Sequence, residues 1–432
     1  MCGLTGIPSP GGDTDVMANA TTTPSAAPAA LGWRTPVVIL LCGCLISLVS
    51  FGPRATLGFF LAPQSQANGW GRDVFAFALA LQNLLWGAGQ PFAGAIADRF
   101  GTARVLCAGA LLYASGLALM AYSTTPGMLN VSAGVLIGFG LSGCTFTIVL
   151  AAYARLLPES WRTIAFGVGT AAGSFGQFLY SPLAVGLIGS IGWQSTLLTF
   201  ATLMLLVLPL SFVVNTSPSA RPEGALAQQS FKQALAEALS NRSYVLLVIG
   251  FFTCGFQLQF ITVHMPAYLI DRGLTAEIGG WTIGVIGLFN IIGSLTSGWL
   301  AGRMAKRYLL SIIYFGRAAA VLAFISFPVT PLSCLLFGAS MGLLWLSTVP
   351  PTNGIVALIF GTRWLGMLTG FAFFSHQVGS FLGVWLGGVA FELTGTYDAV
   401  WWLAVLFGVL SAVINLPIIE QPVRRLAPAT AS

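Results

Sequence analysis

Twelve apolar runs, each near the roughly 20 residues that a helix needs to cross a bilayer, follow one another from residue 36 to residue 418. No soluble fold accommodates so many. Charged residues make up 7% of the chain and hydrophobic ones 56%, too few charges to clothe an exterior in water. The runs read as helices, because a membrane β-barrel alternates apolar and polar residues in shorter segments. The chain is therefore read as an all-α membrane protein with 12 transmembrane helices.

The charges set its orientation. Of the 18 Lys and Arg, 14 fall in one alternate set of loops or tails, and only Arg72 and Arg272 fall in the opposite set. This asymmetry predicts a multi-pass protein of the cell inner (plasma) membrane with both termini cytoplasmic. It accounts for the net charge of +6 without any nucleic-acid partner. The Cys residues, apart from Cys2, lie in or beside apolar runs without metal-ligand spacing, so they read as small apolar side chains.

Residues 1–32, rich in Ala, Thr, Pro and Gly, read as a disordered cytoplasmic tail; no basic segment precedes an apolar core, so no cleavable signal peptide is expected. Residues 33–214 make a first six-helix bundle, with spans near 36–62, 74–97, 105–123, 129–153, 164–189 and 194–214. Residues 215–242 form a cytoplasmic loop in which SFKQALAEALSNR reads as an amphipathic surface helix. Residues 243–420 make a second bundle, with spans near 243–270, 279–301, 309–327, 333–359, 365–391 and 399–418, and 421–432 form a cytoplasmic tail. Gly52-Pro53 is expected to break span 1 just before Arg54, and Pro350-Pro351 to break span 10.

The two bundles read as copies of one another. GAIADRFGTAR at 94–104 returns in altered form as GWLAGRMAKR at 298–307. Gly94 and Gly298 are 204 residues apart, as are Gly138 and Gly342, and the Gly-Ser-Phe strings at 173 and 379 are 206 apart. One nearly constant offset supports two pseudo-symmetric six-helix bundles, a parallel repeat about an axis along the membrane normal.

These hairpins carry a resemblance. Gly94, Ile96, Asp98, Arg99, Gly101 and Arg104 match the G-x-L-x-D-R-x-G-R-[RK] loop of the major facilitator superfamily. The second copy keeps Gly298, Leu300, Arg303 and Arg307, with Gly302 where the acid would stand. Within that superfamily the chain most resembles the monocarboxylate-porter and oxalate/formate-exchanger branch and its bacterial relatives. Gly52-Pro53-Arg54 before Phe59-Phe60 is similar to its F-P-K-x-x-x-x-F-F, and Arg162 to Ala172 to its R-x-L-A-x-G-x-A-x-A-G. The resemblance implies the major facilitator fold and gradient-driven transport. It also places Arg54 where the branch has a functional Lys. Where that branch has a substrate-binding Arg in span 8, preceded by an Asp, this chain has Ser294 and Asn290.

Ionisable groups at membrane depth are costly and default to function. Arg54 is the leading substrate-binding candidate: a permanent cation whose fork suits a carboxylate, beside a Gly-Pro break whose freed backbone must line a cavity. His376 can hydrogen-bond cargo or carry a proton. Gln257, Gln259 and His264 in span 7 are neutral hydrogen-bonding candidates. Gln177 and Tyr180 in span 5, Asn83 in span 2 and Asn290 in span 8 are lining residues or helix–helix glue. Arg317 in span 9 reads as a brace. Asp98, Arg99, Arg104, Arg303 and Arg307 form a candidate conformational latch, the basic members serving equally as positive-inside residues.

No GxSxG, HExxH or phosphate-binding GxxxxGK[ST] occurs, so no catalysis, ATP hydrolysis or cofactor is expected. The chain reads as a monomeric secondary transporter of a small organic anion, a carboxylate, with a coupling proton or counter-substrate. Efflux of an amphipathic metabolite or drug is the alternative.

Overall fold

The computed structural model describes residues 34–216, 231–361 and 364–423. The expected tail over 1–32, the loop residues 217–230, and Arg221, Arg363, Arg424 and Arg425 lie outside them. Among the described residues every element is helical. Ten helices are long and apolar enough to cross a membrane. Two more, Arg72–Phe100 and Leu365–Thr394, have the length, 29 and 30 residues. They are the spans that carry Gln82, Asn83 and Gln90 on one side and Ser375, His376, Gln377 and Ser380 on the other.

The twelve spans fall within a few residues of their expected positions, usually a turn longer. Span 1 runs Pro36–Asn68, span 4 Pro126–Leu156, span 5 Glu159–Ile191, span 7 Arg242–Asp271 and span 10 Pro331–Phe360. The surface helix is Phe231–Ser240. Hydropathy underestimates length because the last turns, already at the interface, use polar residues.

The internal repeat is built into the packing. A Cβ on Gly134 or Gly138 of span 4 would stand 3.2 Å from the Ala78 carbonyl or 2.9 Å from that of Gln82 in span 2. A Cβ on Gly338 or Gly342 of span 10 would stand 2.9 Å from the Thr282 carbonyl or 2.7 Å from that of Ile286 in span 8. All four pairs repeat at the same 204-residue offset. Only a residue without a side chain lets these backbones touch.

The hairpins obey the same symmetry. Gly101 closes the first with φ +91°, and a Cβ there would meet the Thr216 carbonyl at 2.7 Å. The backbone N–H of Ala103 donates to Asn215 at 3.4 Å, and Thr102 exchanges hydrogen bonds with Thr216 and Val214. In the second copy the N–H of Arg307 donates to Glu420 at 2.7 Å. Each half thus caps the start of its third span with the chain that leaves its sixth, satisfying free helix N–H groups.

Two expected breaks move. Span 1 stays α-helical through Pro53 to Thr56, and tightens only at Leu57–Phe60 before resuming at Leu61. The tightening falls where Gly58 meets span 7: a Cβ there would collide with the Thr262 carbonyl. Span 10 breaks before its double proline, between Pro331–Leu344 and Val349–Phe360. Pro350 and Pro351 then lie in a first turn, where no N–H is needed.

Candidate functional site

Arg54 is buried near the middle of span 1, 8% exposed, with its partners in the first half. The helix that carries it presents Gly52 to the ring of Tyr180, so span 5 packs directly behind the guanidinium's own turn. Arg54 Nη2 donates to Asn83 Oδ1 at 3.2 Å, and the guanidinium lies 4.4 Å from the Trp86 ring and 5.3 Å from that of Phe51. Its Nε has no partner, and none of the ion pairs among the described residues includes it. A desolvated cation with aromatic faces and one neutral acceptor is short of an anion.

The second half reaches this point through span 11. Gln377, fully buried, donates from Nε2 to the Asn83 carbonyl at 3.1 Å. Its Oε1 accepts from Ser380 at 3.2 Å and lies 3.0 Å from His376 Nδ1. Trp86 meets Phe373 edge-on at 5.2 Å, and a Cβ on Gly87 would meet the Gln377 side chain at 2.7 Å. Arg54, Asn83 and His376 are therefore brought together. Gln377, Trp86, Phe51 and Phe373 complete the cluster; sequence reasoning did not name them as site residues, because mid-span aromatic residues look like packing and Gln377 drew notice only as the neighbour of His376. Gln259 shares a face of span 7 with Thr262 and Val263, which pack on Gly58.

The remaining candidates are elsewhere. Gln257 donates to the Ala404 carbonyl at 2.8 Å and joins span 7 to span 12. His264 Nε2 lies 2.8 Å from the Val384 carbonyl, its ring against Phe260 and Tyr397. Gln177 ties span 5 to the Ile283 carbonyl of span 8. Asn290 donates to Ser174 at 2.8 Å and accepts from the Leu346 N–H at 3.0 Å. That N–H is one freed by the break in span 10. The carbonyls freed on the other side of it, Leu344 and Trp345, accept from Arg317, which is fully buried. Asn290 and Arg317 thus hold a broken helix together.

Asp98 pairs with Arg155 at 2.5 Å, inside its own half. Arg99 lies over Phe100 and Arg303 over Trp299, while Arg307 also donates to the Ile418 carbonyl. Arg104 borders a surface crevice with Phe212 and Asn215. These contacts of the hairpin residues fall within one half.

The contact that joins the halves by charge is at the other end of the molecule. Arg72 makes two hydrogen bonds to Asp271, at 2.6 and 2.8 Å, a third to Tyr397, and stacks on Phe391 at 3.8 Å. Its backbone N–H donates to Glu392 at 2.6 Å. Burial pushes the Tyr397 hydroxyl up to about 12, so it remains a neutral partner. Span 2 is thereby clamped to the ends of spans 7 and 11. The described side-chain contacts between halves run from mid-depth to this clamp, through Phe77–Phe381 and Phe178–Trp281.

Solved structures share this fold. A D-xylose-proton symporter superposes with a TM-score of 0.66 at 19% identity, covering 89% of this chain and 97% of that one. An inward-facing, unoccupied bacterial homologue of the human lysosomal transporter Spinster gives 0.69 at 14%, with coverage of 89% and 97%. The MFS-type transporter YcxA of Bacillus subtilis is 28% identical over 84% of this chain and 90% of that protein. Monocarboxylate transporter 13 of Rattus norvegicus is 25% identical over 85% of each. The Major Facilitator Superfamily profile matches residues 43–384, and with it the repeat, the hairpin and the twelve spans place this multi-pass membrane chain in that superfamily of transporters, which are not enzymes.

Proposed function

We propose that this transporter moves a small organic anion, a carboxylate, by alternating access around Arg54. The observation that carries the reading is Arg54 itself: a buried cation with a free Nε and, among the described residues, no acidic partner, held by Asn83 and Trp86 where span 11 meets them. A carboxylate accepts two parallel hydrogen bonds from such a fork. Asn83 and the amide of Gln377 supply neutral polar walls, and Trp86, Phe51 and Phe373 apolar ones. The similarity to monocarboxylate transporter 13 supports the same substrate class.

The clamp at Arg72 closes one face while the face bearing the hairpins lacks such a tie among the described contacts. With the hairpins cytoplasmic, as the basic loops imply, the chain stands open inward in the inner membrane. Residues 33–214 and 243–420 are the two rocking bodies. The aromatic walls also favour a second reading, efflux of an amphipathic molecule.

Uptake of a radiolabelled carboxylate panel into proteoliposomes tests the first reading. Arg54→Gln is expected to lose at least about tenfold in affinity, the equivalent of one charged hydrogen bond, about 1.5–3 kcal/mol. Transport of every wild-type carboxylate by Arg54→Gln at unchanged affinity overturns it.

A further inference from the structure

A buried donor without an acceptor costs free energy, so a fold that keeps one calls for an explanation. Arg54 Nε is such a donor. The hydroxyl of Tyr113, near the middle of span 3 (Thr102–Ala121), is another. Tyr113 is fully buried, and among the described residues its hydroxyl has no hydrogen-bond partner. The guanidinium and the phenol stand within electrostatic reach of one another.

Packing fixes the phenol. A Cβ on Gly140 of span 4 would stand 2.7 Å from the Tyr113 backbone nitrogen, so spans 3 and 4 touch at the root of this side chain. Tyr180 of span 5, whose ring packs on Gly52 two residues before Arg54, lies within the same electrostatic reach. Asn83 of span 2 takes only Arg54 Nη2. Four spans of the first half thus converge on a guanidinium, and two of the donors they bring, one N–H and one O–H, have no acceptor.

The internal repeat shows what this hydroxyl is not used for. Residues 113 and 317 are 204 apart, the offset between the halves. Arg317 donates to a carbonyl that the break in span 10 leaves open. Span 4 is interrupted at the matching place, between Ile137–Cys144 and Phe146–Leu156. There the Cys144 thiol donates to the Leu106 carbonyl at 3.3 Å, while among the described residues the Tyr113 hydroxyl donates to nothing. The second half uses this position on its own broken helix. The first half keeps a donor free there, beside the one buried cation that lacks an anion.

Resting on the reading of Arg54 as the anion site, we propose that Tyr113 is a second binding residue of that site. One carboxylate oxygen accepts from Arg54 Nε and the other from the Tyr113 hydroxyl, so a single ligand satisfies both buried donors. The phenol is neutral and adds a directed hydrogen bond without adding a charge. Span 3 belongs to the first half, so the carboxylate end of the ligand is held there. The rest of the ligand lies toward Gln377 and Phe373 of span 11, where they meet Asn83 and Trp86.

The test separates binding from folding. Dissociation constants of the purified protein for propionate, benzoate and succinate are read from thermal stabilisation, beside the midpoint without ligand. Tyr113→Phe removes only the hydroxyl. Its ligand-free midpoint is expected to equal or exceed that of wild type, since no hydrogen bond is lost. Its dissociation constants are expected to rise about tenfold, the weight of one hydrogen bond to a charged group. Tyr153→Phe is the contrast. That hydroxyl donates to the Leu40 carbonyl at 2.7 Å, so the midpoint is expected to fall and the dissociation constants to stay as in wild type. A Tyr113→Phe midpoint below that of wild type, or dissociation constants equal to those of wild type, overturns the proposal. If Arg54→Gln binds these anions as wild type does, or wild type binds none of them, the anion reading itself fails, a result read without Tyr113→Phe.

Discussion

Arg54 and Arg317 are chemically the same residue in two different trades. Each is a buried guanidinium in a chain with few charges at depth, and the sequence alone offers no sure way to separate them. The partners do. Arg317 donates from Nε and Nη2 to the carbonyls of Leu344 and Trp345, which the break in span 10 leaves open, and only its Nη1 is unpartnered. Arg54 has one neutral acceptor and an idle Nε. Arg317→Met should therefore cost stability, because it strands buried carbonyls, and Asn290→Ala should do the same by stranding the Leu346 N–H. About 1–3 kcal/mol is expected for each, read as a fall in the thermal midpoint of the detergent-solubilised protein. Arg54→Gln should leave that midpoint close to wild type while removing anion binding. A midpoint for Arg317→Met equal to that of wild type would remove its assignment as a brace.

At the scale of elements, spans 2 and 11 are the pair that brings the two halves together at the proposed site. They are the least hydrophobic of the twelve, and their polar residues meet each other in the centre of the molecule. Span 2 also carries Arg72, which read in the sequence as one of two stray charges on the sparsely charged face. It is instead the centre of the clamp, since Asp271 and Glu392 come to it from 199 and 320 residues away along the chain. Opening that face requires both hydrogen bonds to Asp271 to break. Asp271→Asn weakens the pair and should shift the population toward the state open at the clamp. A single reporter, Gln259→Cys, placed on the span 7 face that packs on span 1, should then react several-fold faster with a membrane-impermeant maleimide added from the clamp side. Equal labelling rates with and without Asp271→Asn would mean that the clamp does not hold the closed state. Asp98 was expected to latch the access states, and its partner Arg155 lies in the same half. That pairing ties the first hairpin to its own half in this conformation.

For the whole molecule, the repeat is written into the packing of each half. Contacts at glycine pairs such as Gly138 with Gln82 and Gly342 with Ile286 lock backbone against backbone inside each half. Between halves, polar side chains and rings meet near the centre, beside close backbone approaches such as Gly58 on the Thr262 carbonyl and Gly287 on that of Ser174. The basic loops predict an orientation that can be measured. Alkaline phosphatase fused after Thr125, in the loop between spans 3 and 4, should be active as a periplasmic reporter, and a fusion after Pro158, between spans 4 and 5, inactive. The opposite pattern would invert the molecule and place the clamp inside.

The sequence by itself determined the helices, their number, the repeat and the sign of each face. Those properties depend on hydropathy and charge, summed over about 20 residues and insensitive to any one neighbour. Only the tertiary structure decided what each polar side chain does. The amide of Gln257 turns to span 12 and that of Gln377 to Asn83, although both sit in similar apolar runs. A hydrogen bond depends on a partner within about 3 Å, and in this fold that partner often comes from a span more than a hundred residues distant.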